Sequence, residues 1–99
     1  MRVLMTVQFD TQISNQAIKD GSLPKLIQAF AERYRPEAAY FTVHNGDRTA
    51  YFVYDLADVS QMPVIAEPFF MGLGAKIHTV PAMSTDDLQR GLQTLAAGA

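Results

Sequence analysis

The sequence contains two histidines, His44 and His78, and a neutral imidazole can donate or accept a proton near pH 7. His44 lies in a stretch that also contains Tyr40, Thr42 and Tyr51, whose hydroxyl groups can orient a ligand or stabilise a developing oxyanion. Each residue also has a purely structural interpretation, because sheet histidines and cross-strand tyrosine pairs often only pack or hydrogen-bond. We take these five residues as candidate ligand-binding residues.

Two carboxylates complete the set of candidates. Asp55 follows Tyr51 closely enough for the two to form a general base and its orienting group, although an aspartate just past a strand end is commonly a turn or cap residue. Glu67 precedes Pro68 and can project a carboxylate from an irregular helix into a cleft, or remain a solvated surface group. No catalytic assignment follows from either residue.

Other kinds of site lack the residues they need. A zinc site requires three or four ligands at suitable spacing, whereas the chain has no cysteine and its histidines are 34 positions apart. GLG at residues 72–74 is too short for a dinucleotide fingerprint, and neither a Walker motif nor GxSxG occurs. The sequence therefore predicts neither a metal nor a cofactor.

A predicted β-hairpin positions most of the candidates. Residues 38–44 and 48–55 are rich in aromatic and β-branched residues, and Asn45-Gly46 between them favours a two-residue turn. This register gives the hairpin two faces. One should pack on helices and contains Ala39, Phe41, Val43, Ala50, Phe52 and Tyr54. The other is amphipathic, suits a half-hydrated cavity, and contains Tyr40, Thr42, His44, Thr49, Tyr51, Val53 and Asp55.

Strands at 2–9 and 75–81 should extend the hairpin into a sheet. The first strand should add Thr6 and Gln8 to the cavity, and the fourth either Lys76 and His78 or their neighbours. Three further segments have helical patterns: a short turn at about 15–20, a helix over 23–34 with Ser22 as N-cap, and a last helix over 85–97 opened by a capping box in STDD.

The remaining helix follows Asp58 or Ser60, either of which can cap it. Pro68 predicts a kink or a division into two short pieces, and Gly72 or Gly74 should end the helix. Its buried stripe is predicted to consist of Met62, Ile65, Ala66, Phe69, Phe70 and Leu73.

The resulting order, β-α-β-β-α-β plus a terminal helix, predicts an α+β, ferredoxin-like fold with a four-stranded antiparallel sheet. The stretches AIKDGSLPKLIQAF and IAEPFFMGLGAKIHTVPAMSTDDL resemble an uncharacterised bacterial family in the dimeric α/β-barrel branch of ferredoxin-like folds. The resemblance implies a homodimer but transfers no functional residue. The wider superfamily includes muconolactone isomerases, cofactor-free monooxygenases, haem-handling enzymes and regulatory ligand-binding modules.

Composition narrows the classes of function. A chain of 99 residues fits a single domain, 1–99. A net charge of −2 with eight unclustered Lys and Arg argues against nucleic-acid and membrane partners. The absence of a leader-like opening and of about 18 consecutive apolar residues predicts a cytoplasmic protein.

Three functional hypotheses remain. The first is a homodimeric module that binds a small aromatic molecule or a protein partner on the sheet face opposite the helices, where Leu4, Tyr40, Tyr51 and Val53 expose too much apolar surface for a monomer. The second is a cofactor-independent enzyme, of isomerase or monooxygenase type, acting on a small aromatic or enolisable compound. The third is haem handling through His44 or His78. The terminal helix is expected either to cover the sheet or to join the partner subunit.

Overall fold

The computed structural model describes residues 1–98 and contains four strands and four helices in that range. The strands are β1 (Arg2–Gln8), β2 (Ala38–His44), β3 (Asp47–Asp55) and β4 (Lys76–Pro81). The helices are α1 (Thr11–Lys19), α2 (Ser22–Tyr34), α3 (Gln61–Leu73) and α4 (Thr85–Ala96). No helix in the described range is long and apolar enough to span a membrane.

The strands form one antiparallel sheet in the order β2-β3-β1-β4, with β2 and β4 at its edges. This topology confirms the α+β, ferredoxin-like fold. The hairpin has the predicted register, in which Tyr40 lies opposite Tyr51 and His44 opposite Asp47. Asn45 and Gly46 both have positive φ, 51° and 81°, as a two-residue turn between twisted strands requires.

The core lies between the sheet and helices α1, α2 and α3. Aromatic rings occupy its centre, where Phe30 of α2 contacts Phe52, Tyr54 and Phe69 at centroid distances of 4.6, 5.2 and 5.9 Å. Phe69 is 2% exposed, as the α3 pattern predicted. The buried stripe of α3 is narrower than predicted, because Met62 and Phe70 are exposed at the edge of the helix layer.

Strand β2 departs from the prediction on its helix side. Ala39 is exposed, and Phe41 and Val43 keep 57% and 67% of their surface accessible, whereas Ala50 and Phe52 on the neighbouring strand are buried. The prediction that all these residues form one helix-packed face is therefore correct for β3 and wrong for β2. The helix layer covers the central strands and ends before the β2 edge.

Two helix starts also differ from expectation. Helix α1 begins at Thr11 because Asp10 is its N-cap and accepts a 2.9 Å hydrogen bond from the Ile13 amide. Ser22 is inside α2 rather than its cap, since Gly21 takes the N-cap position in a left-handed conformation. Asp20 supplies the oxygen instead, accepting from the Ser22 amide at 2.9 Å.

Helix α3 runs without a break from Gln61 to Leu73, so it is not divided at Pro68. Pro68 removes the donor for the carbonyl of Val64, and both residues lie on the exposed side of the helix. Water can therefore hydrate that carbonyl without interrupting the helix. Gly74 ends α3 at φ 55°, one of the two glycines that the sequence offered.

Helix α4 opens with the predicted capping box, in which Ser84 and Asp87 exchange hydrogen bonds of 2.9 and 3.1 Å. None of its described residues is buried, and it does not fold back across the sheet. The molecule is consequently elongated, at 56 × 27 × 18 Å. Of the two predicted places for α4, the one over its own sheet is excluded.

Candidate functional site

The candidate site occupies the sheet surface opposite the helix layer, which we call the distal face. Directly paired residues of an antiparallel sheet point to the same side, so the register defines this face. It is made of three four-residue rows that cross all four strands. In the order β2, β3, β1, β4 the rows are Ala38-Val53-Leu4-Val80, Tyr40-Tyr51-Thr6-His78 and Thr42-Thr49-Gln8-Lys76.

The middle row brings together three of the predicted site residues. Tyr40, Tyr51 and His78 lie in line with Thr6, and the row spans about 14 Å because adjacent strands are about 4.8 Å apart. Tyr40 is 71% exposed, His78 is exposed, and Tyr51 and Thr6 are half-buried. His78 therefore occupies the distal position of β4, which the sequence had left open.

The polar end of the distal face consists of the row Thr42-Thr49-Gln8-Lys76 and the adjacent pair His44 and Asp47. Hydrogen bonds within the chain already occupy several of its polar groups. The Asp47 carboxylate accepts from the Gln8 side chain at 2.9 Å and from the Thr11 hydroxyl at 2.5 Å. These bonds, that from Thr11 foremost, lower the pKa of Asp47. Thr49 is fully buried and donates to the Asp47 carbonyl at 3.1 Å. This end is a structural junction, where Thr42, His44 and Lys76 remain exposed.

The opposite end of the distal face is apolar. Leu4 and Val53 are half-buried at its centre, and Val80 is 51% exposed at the β4 edge. Asp55 lies beyond this row at the end of β3, where its carboxylate is 2.7 Å from the amino group of Met1. Because Asp55 is four residues along the strand from Tyr51, about 13 Å away, the predicted base and orienting pair does not form in the single chain.

The histidines are separate from acidic partners. Within residues 1–98 neither His44 nor His78 has a side-chain hydrogen bond, and Asp47, opposite His44, bonds Gln8 and Thr11 instead. The same residues contain no group of three His, Asp or Glu side chains arranged to hold a metal ion. The distal face thus offers aromatic surface, hydroxyls and imidazoles for binding, but no assembled acid-base pair.

Glu67 belongs to a different surface. It borders a groove of about 290 Å³ between α3 and β4, on the helix side of the sheet. The groove is largely apolar and is lined by Met5, Tyr54, Met62, Pro63, Ile65, Ala66, Glu67, Phe70, Ile77 and Thr79. At its base the Tyr54 hydroxyl contacts the Met5 sulfur at 3.8 Å, and burial raises the pKa of Tyr54.

The sequence prediction included only Glu67 from this groove. The other lining residues come from β1, β3, α3 and β4. Met5, Tyr54 and the α3 residues Met62, Ile65, Ala66 and Phe70 were predicted to face the core, Pro63 was not assigned, and the facing of Ile77 and Thr79 in β4 was left open. The groove exists because α3 does not cover β4 completely, which leaves Ile77 and Thr79 half-exposed. The spacing of α3 from an edge strand has no signature in a single sequence.

No protein-family model matches the sequence, and no curated protein matches it either. The geometry of the distal face and of the α3–β4 groove is therefore the basis for assigning a function.

Proposed function

We propose that the protein is a homodimeric module that binds a small aromatic compound between the distal faces of two copies. The observation that supports this function best is the middle row, where Tyr40, Tyr51, Thr6 and His78 form a continuous strip across all four strands that is exposed at both edges and half-buried at its centre. A protein that worked as a monomer would leave this strip and the adjacent apolar row bare to water.

The composition of the strip indicates the class of ligand. Tyrosine rings offer faces on which a planar aromatic group stacks, and such contacts contribute about 0.5–1.5 kcal/mol each beyond area burial. The hydroxyls of Thr6, Tyr40 and Tyr51 can donate to a carbonyl or phenolate oxygen. No cationic side chain lies in the middle row, which disfavours a polyanionic ligand.

A second copy supplies the cover that the single chain lacks. When two antiparallel sheets pack face to face, their backbones lie about 10 Å apart. Leu4, Val53 and Val80 form the dry part of such an interface, while the hydroxyls of the middle row retain space for a ligand or water. Sedimentation equilibrium should give twice the chain mass at micromolar concentration, and the mass of a single chain would contradict the homodimer.

The site itself is tested by removing one hydroxyl from each side of β3. Tyr51→Phe acts on the distal face, and Tyr54→Phe, the matched control, removes a hydroxyl from the helix side of the same strand. A panel of small phenols, aromatic carboxylates and aryl ketones is first screened by thermal shift, and the affinity of any hit is then measured by calorimetry.

We expect Tyr51→Phe to weaken binding several-fold, as loss of one hydrogen bond of about 1 kcal/mol implies, while Tyr54→Phe leaves affinity unchanged. Thermal stability should change little for Tyr51→Phe. In the free protein the half-buried Tyr51 hydroxyl can bond water, so its removal costs little. The reverse pattern of affinities would place the ligand in the α3–β4 groove and overturn the assignment to the distal face.

A further inference from the structure

Helix α4 carries a row of leucines that the rest of residues 1–98 leaves largely uncovered. Leu88, Leu92 and Leu95 follow helical spacing and are 46%, 53% and 69% exposed, increasingly so toward the end of the helix. A helix of 12 residues is marginal in water unless an apolar face packs against something. Gly91 in its interior weakens the helix further. The fold therefore contains a helix whose stability requires an external surface.

The overall dimensions indicate the size of that missing contact. The radius of gyration is 16.0 Å, whereas a compact chain of this length has a value of about 13 Å. The accessible surface is 6568 Å², and a folded monomer of this mass exposes roughly 5,600 Å². The excess of about 1,000 Å² is comparable with the roughly 800 Å² that each partner buries in a stable interface.

A second uncovered surface lies on the helix side of β2, which we call the β2 strip. Ala39, Phe41 and Val43 alternate along the edge strand and point toward the layer occupied by α2 and α3, yet no helix of the described residues covers them. Phe41 meets the Phe52 ring in an edge-to-face arrangement at a centroid distance of 6.0 Å. The strip contains no charged side chain of the kind that protects exposed edges in monomeric sheets.

We propose that α4 of one copy packs its leucine row onto the β2 strip of a second copy and so completes the partner's helix layer. This exchange deepens the proposed function, since it rests on the homodimer. The lengths agree: Leu88 to Leu95 extends about 10.5 Å along a helix, and Ala39 to Val43 extends about 13 Å along a strand. A two-fold axis makes the contact reciprocal, so each dimer contains two such arms.

The position of α4 explains why the partner is a second copy rather than its own chain. α4 follows β4, and β4 and β2 are opposite edges of the sheet, about 14 Å apart. The first turn of α4 is held near β1, where Asp87 is 3.5 Å from Arg2. In a face-to-face pair whose two-fold axis runs along the strands, however, β4 of one copy lies opposite β2 of the other. The three connecting residues, 82–84, extend about 11 Å, so they bring the start of α4 across the roughly 10 Å between the sheets to the partner's β2 edge. The first turn of α4 then passes around that edge, and the leucine row, which begins at Leu88, meets the β2 strip on the far side.

The first test places a charge on either side of α4. Leu92→Glu puts a carboxylate in the leucine row, and Gln93→Glu, the matched control, puts the same charge at the next residue on the polar side. Leu92→Glu should raise the dimer dissociation constant about 100-fold, because each dimer has two arms and burial of one leucine is equivalent to at least tenfold in an equilibrium constant. Gln93→Glu should leave it within about threefold, as expected for an exposed rim position.

Sedimentation distinguishes the exchange from the homodimer itself. A dimer that Leu92→Glu does not weaken would overturn the exchange and leave the sheet-to-sheet dimer standing. A wild-type chain that is monomeric would overturn both. A dimer that Leu92→Glu weakens but that binds none of the aromatic panel would support the exchange and count against the proposed ligand.

The second test identifies the surface that α4 meets. The chain has no cysteine, so Leu92→Cys and Val43→Cys each introduce a single thiol. Chains of the two variants, distinguished by isotopic mass, are mixed and oxidised. A disulfide between unlike chains, absent when Gln93→Cys replaces Leu92→Cys, is the expected product. Predominant Leu92→Cys pairs would show that two α4 helices pack on each other, and the absence of cross-links would show that α4 is free; either result overturns the exchange.

Discussion

Helices α3 and α4 both repeat large apolar residues at helical spacing, but only α3 buries them. In α3, Ile65, Phe69 and Leu73 are buried against the sheet, although the helix has no side-chain hydrogen bond at its N-cap and contains a proline. In α4, the capping box is complete, yet none of the described residues is buried. Of these two helices, the one with less packing therefore has the stronger local signals.

The difference shows that two kinds of stabilisation are distributed separately in this molecule. α3 is stabilised by apolar contacts, and each buried aromatic side chain contributes several kcal/mol. These contacts compensate for the uncapped N-terminus and the internal proline of the helix. α4 depends on the hydrogen bonds and ion pairs of its first turn, to which the proposed exchange would add apolar contacts. Substitutions in the two helices should accordingly affect different measurements.

The largest expected contrast is between Phe69→Ala and Leu92→Ala. Phe69 is 2% exposed and contacts Phe30 and Phe52, so its truncation should lower the free energy of unfolding by about 3–5 kcal/mol through lost transfer energy and a cavity. Leu92→Ala should change it by less than about 0.5 kcal/mol, as is usual for an exposed side chain. Urea denaturation at a concentration where the chain is monomeric measures both. Equal losses would mean that α4 packs on its own chain.

A smaller contrast concerns the glycines of the two helices. Gly74 ends α3 at φ 55°, and a Cβ there would approach the Ile13 Cδ1 to 2.6 Å and the Asp10 Cβ to 3.1 Å. Gly74→Ala should therefore destabilise the fold by about 1–2 kcal/mol, the cost of a left-handed conformation for alanine. Gly91 of α4 has open space around it, so Gly91→Ala should favour α4 by about 0.5–1 kcal/mol.

Two readouts separate these effects. Thermal denaturation should show a lower midpoint for Gly74→Ala, whereas Gly91→Ala should increase the far-ultraviolet helical signal with little change in the midpoint. An unchanged midpoint for Gly74→Ala would show that the α1–α3 junction rearranges freely around the new methyl group. A lowered helical signal for Gly91→Ala would show that the glycine is required for close approach to another surface.

Much of the fold was predictable because the signals are local. Asn45-Gly46 fixed the hairpin register, and the alternation of apolar residues located β1 and the buried half of β3. The errors arise where a neighbour decides the outcome. Asp10 caps α1 so that it begins four residues before the predicted start at about 15, and Asp20, two residues before the predicted cap Ser22, accepts the hydrogen bond at the start of α2. Phe41 is exposed because the helix layer ends before β2.

The candidate site was predictable only in part. The register brought Tyr40, Tyr51 and His78 into one row, but it also separated Asp55 and Glu67 from that row by strand length and by the sheet itself. Asp47 was not predicted to bond Gln8 and Thr11, because these contacts join three segments distant in sequence. The alternation of residue types along a strand predicts the side of the sheet on which a residue lies. Tertiary packing determines which other residues cover that side.

The smallest expected difference between α3 and α4 is in how their stability responds to acidic pH. The Asp87 carboxylate accepts from the Ser84 amide and pairs with Arg90, and these interactions, the Ser84 amide foremost, lower its pKa. A lowered folded-state pKa stabilises the folded form above the unfolded value of about 3.9, and this contribution is lost as the pH falls through the folded value. The protection factors of the amides in residues 85–96, which correct for the intrinsic pH dependence of exchange, should therefore fall below about pH 4 in the wild type.

Variants at adjacent positions isolate this effect. In Asp87→Asn the protection factors of the α4 amides should already be lower at neutral pH and should lose most of their dependence on pH below 4. Asp86→Asn, which removes a neighbouring carboxylate outside the capping box, should retain that dependence. Asp20 and Asp47 also have lowered pKa values, so global stability declines in the same range. Residue-resolved exchange is needed for this reason: α4 should open before α3, whose first turn contains no acidic residue. Simultaneous opening of both helices would show that α4 is coupled to the core and would remove the distinction between them.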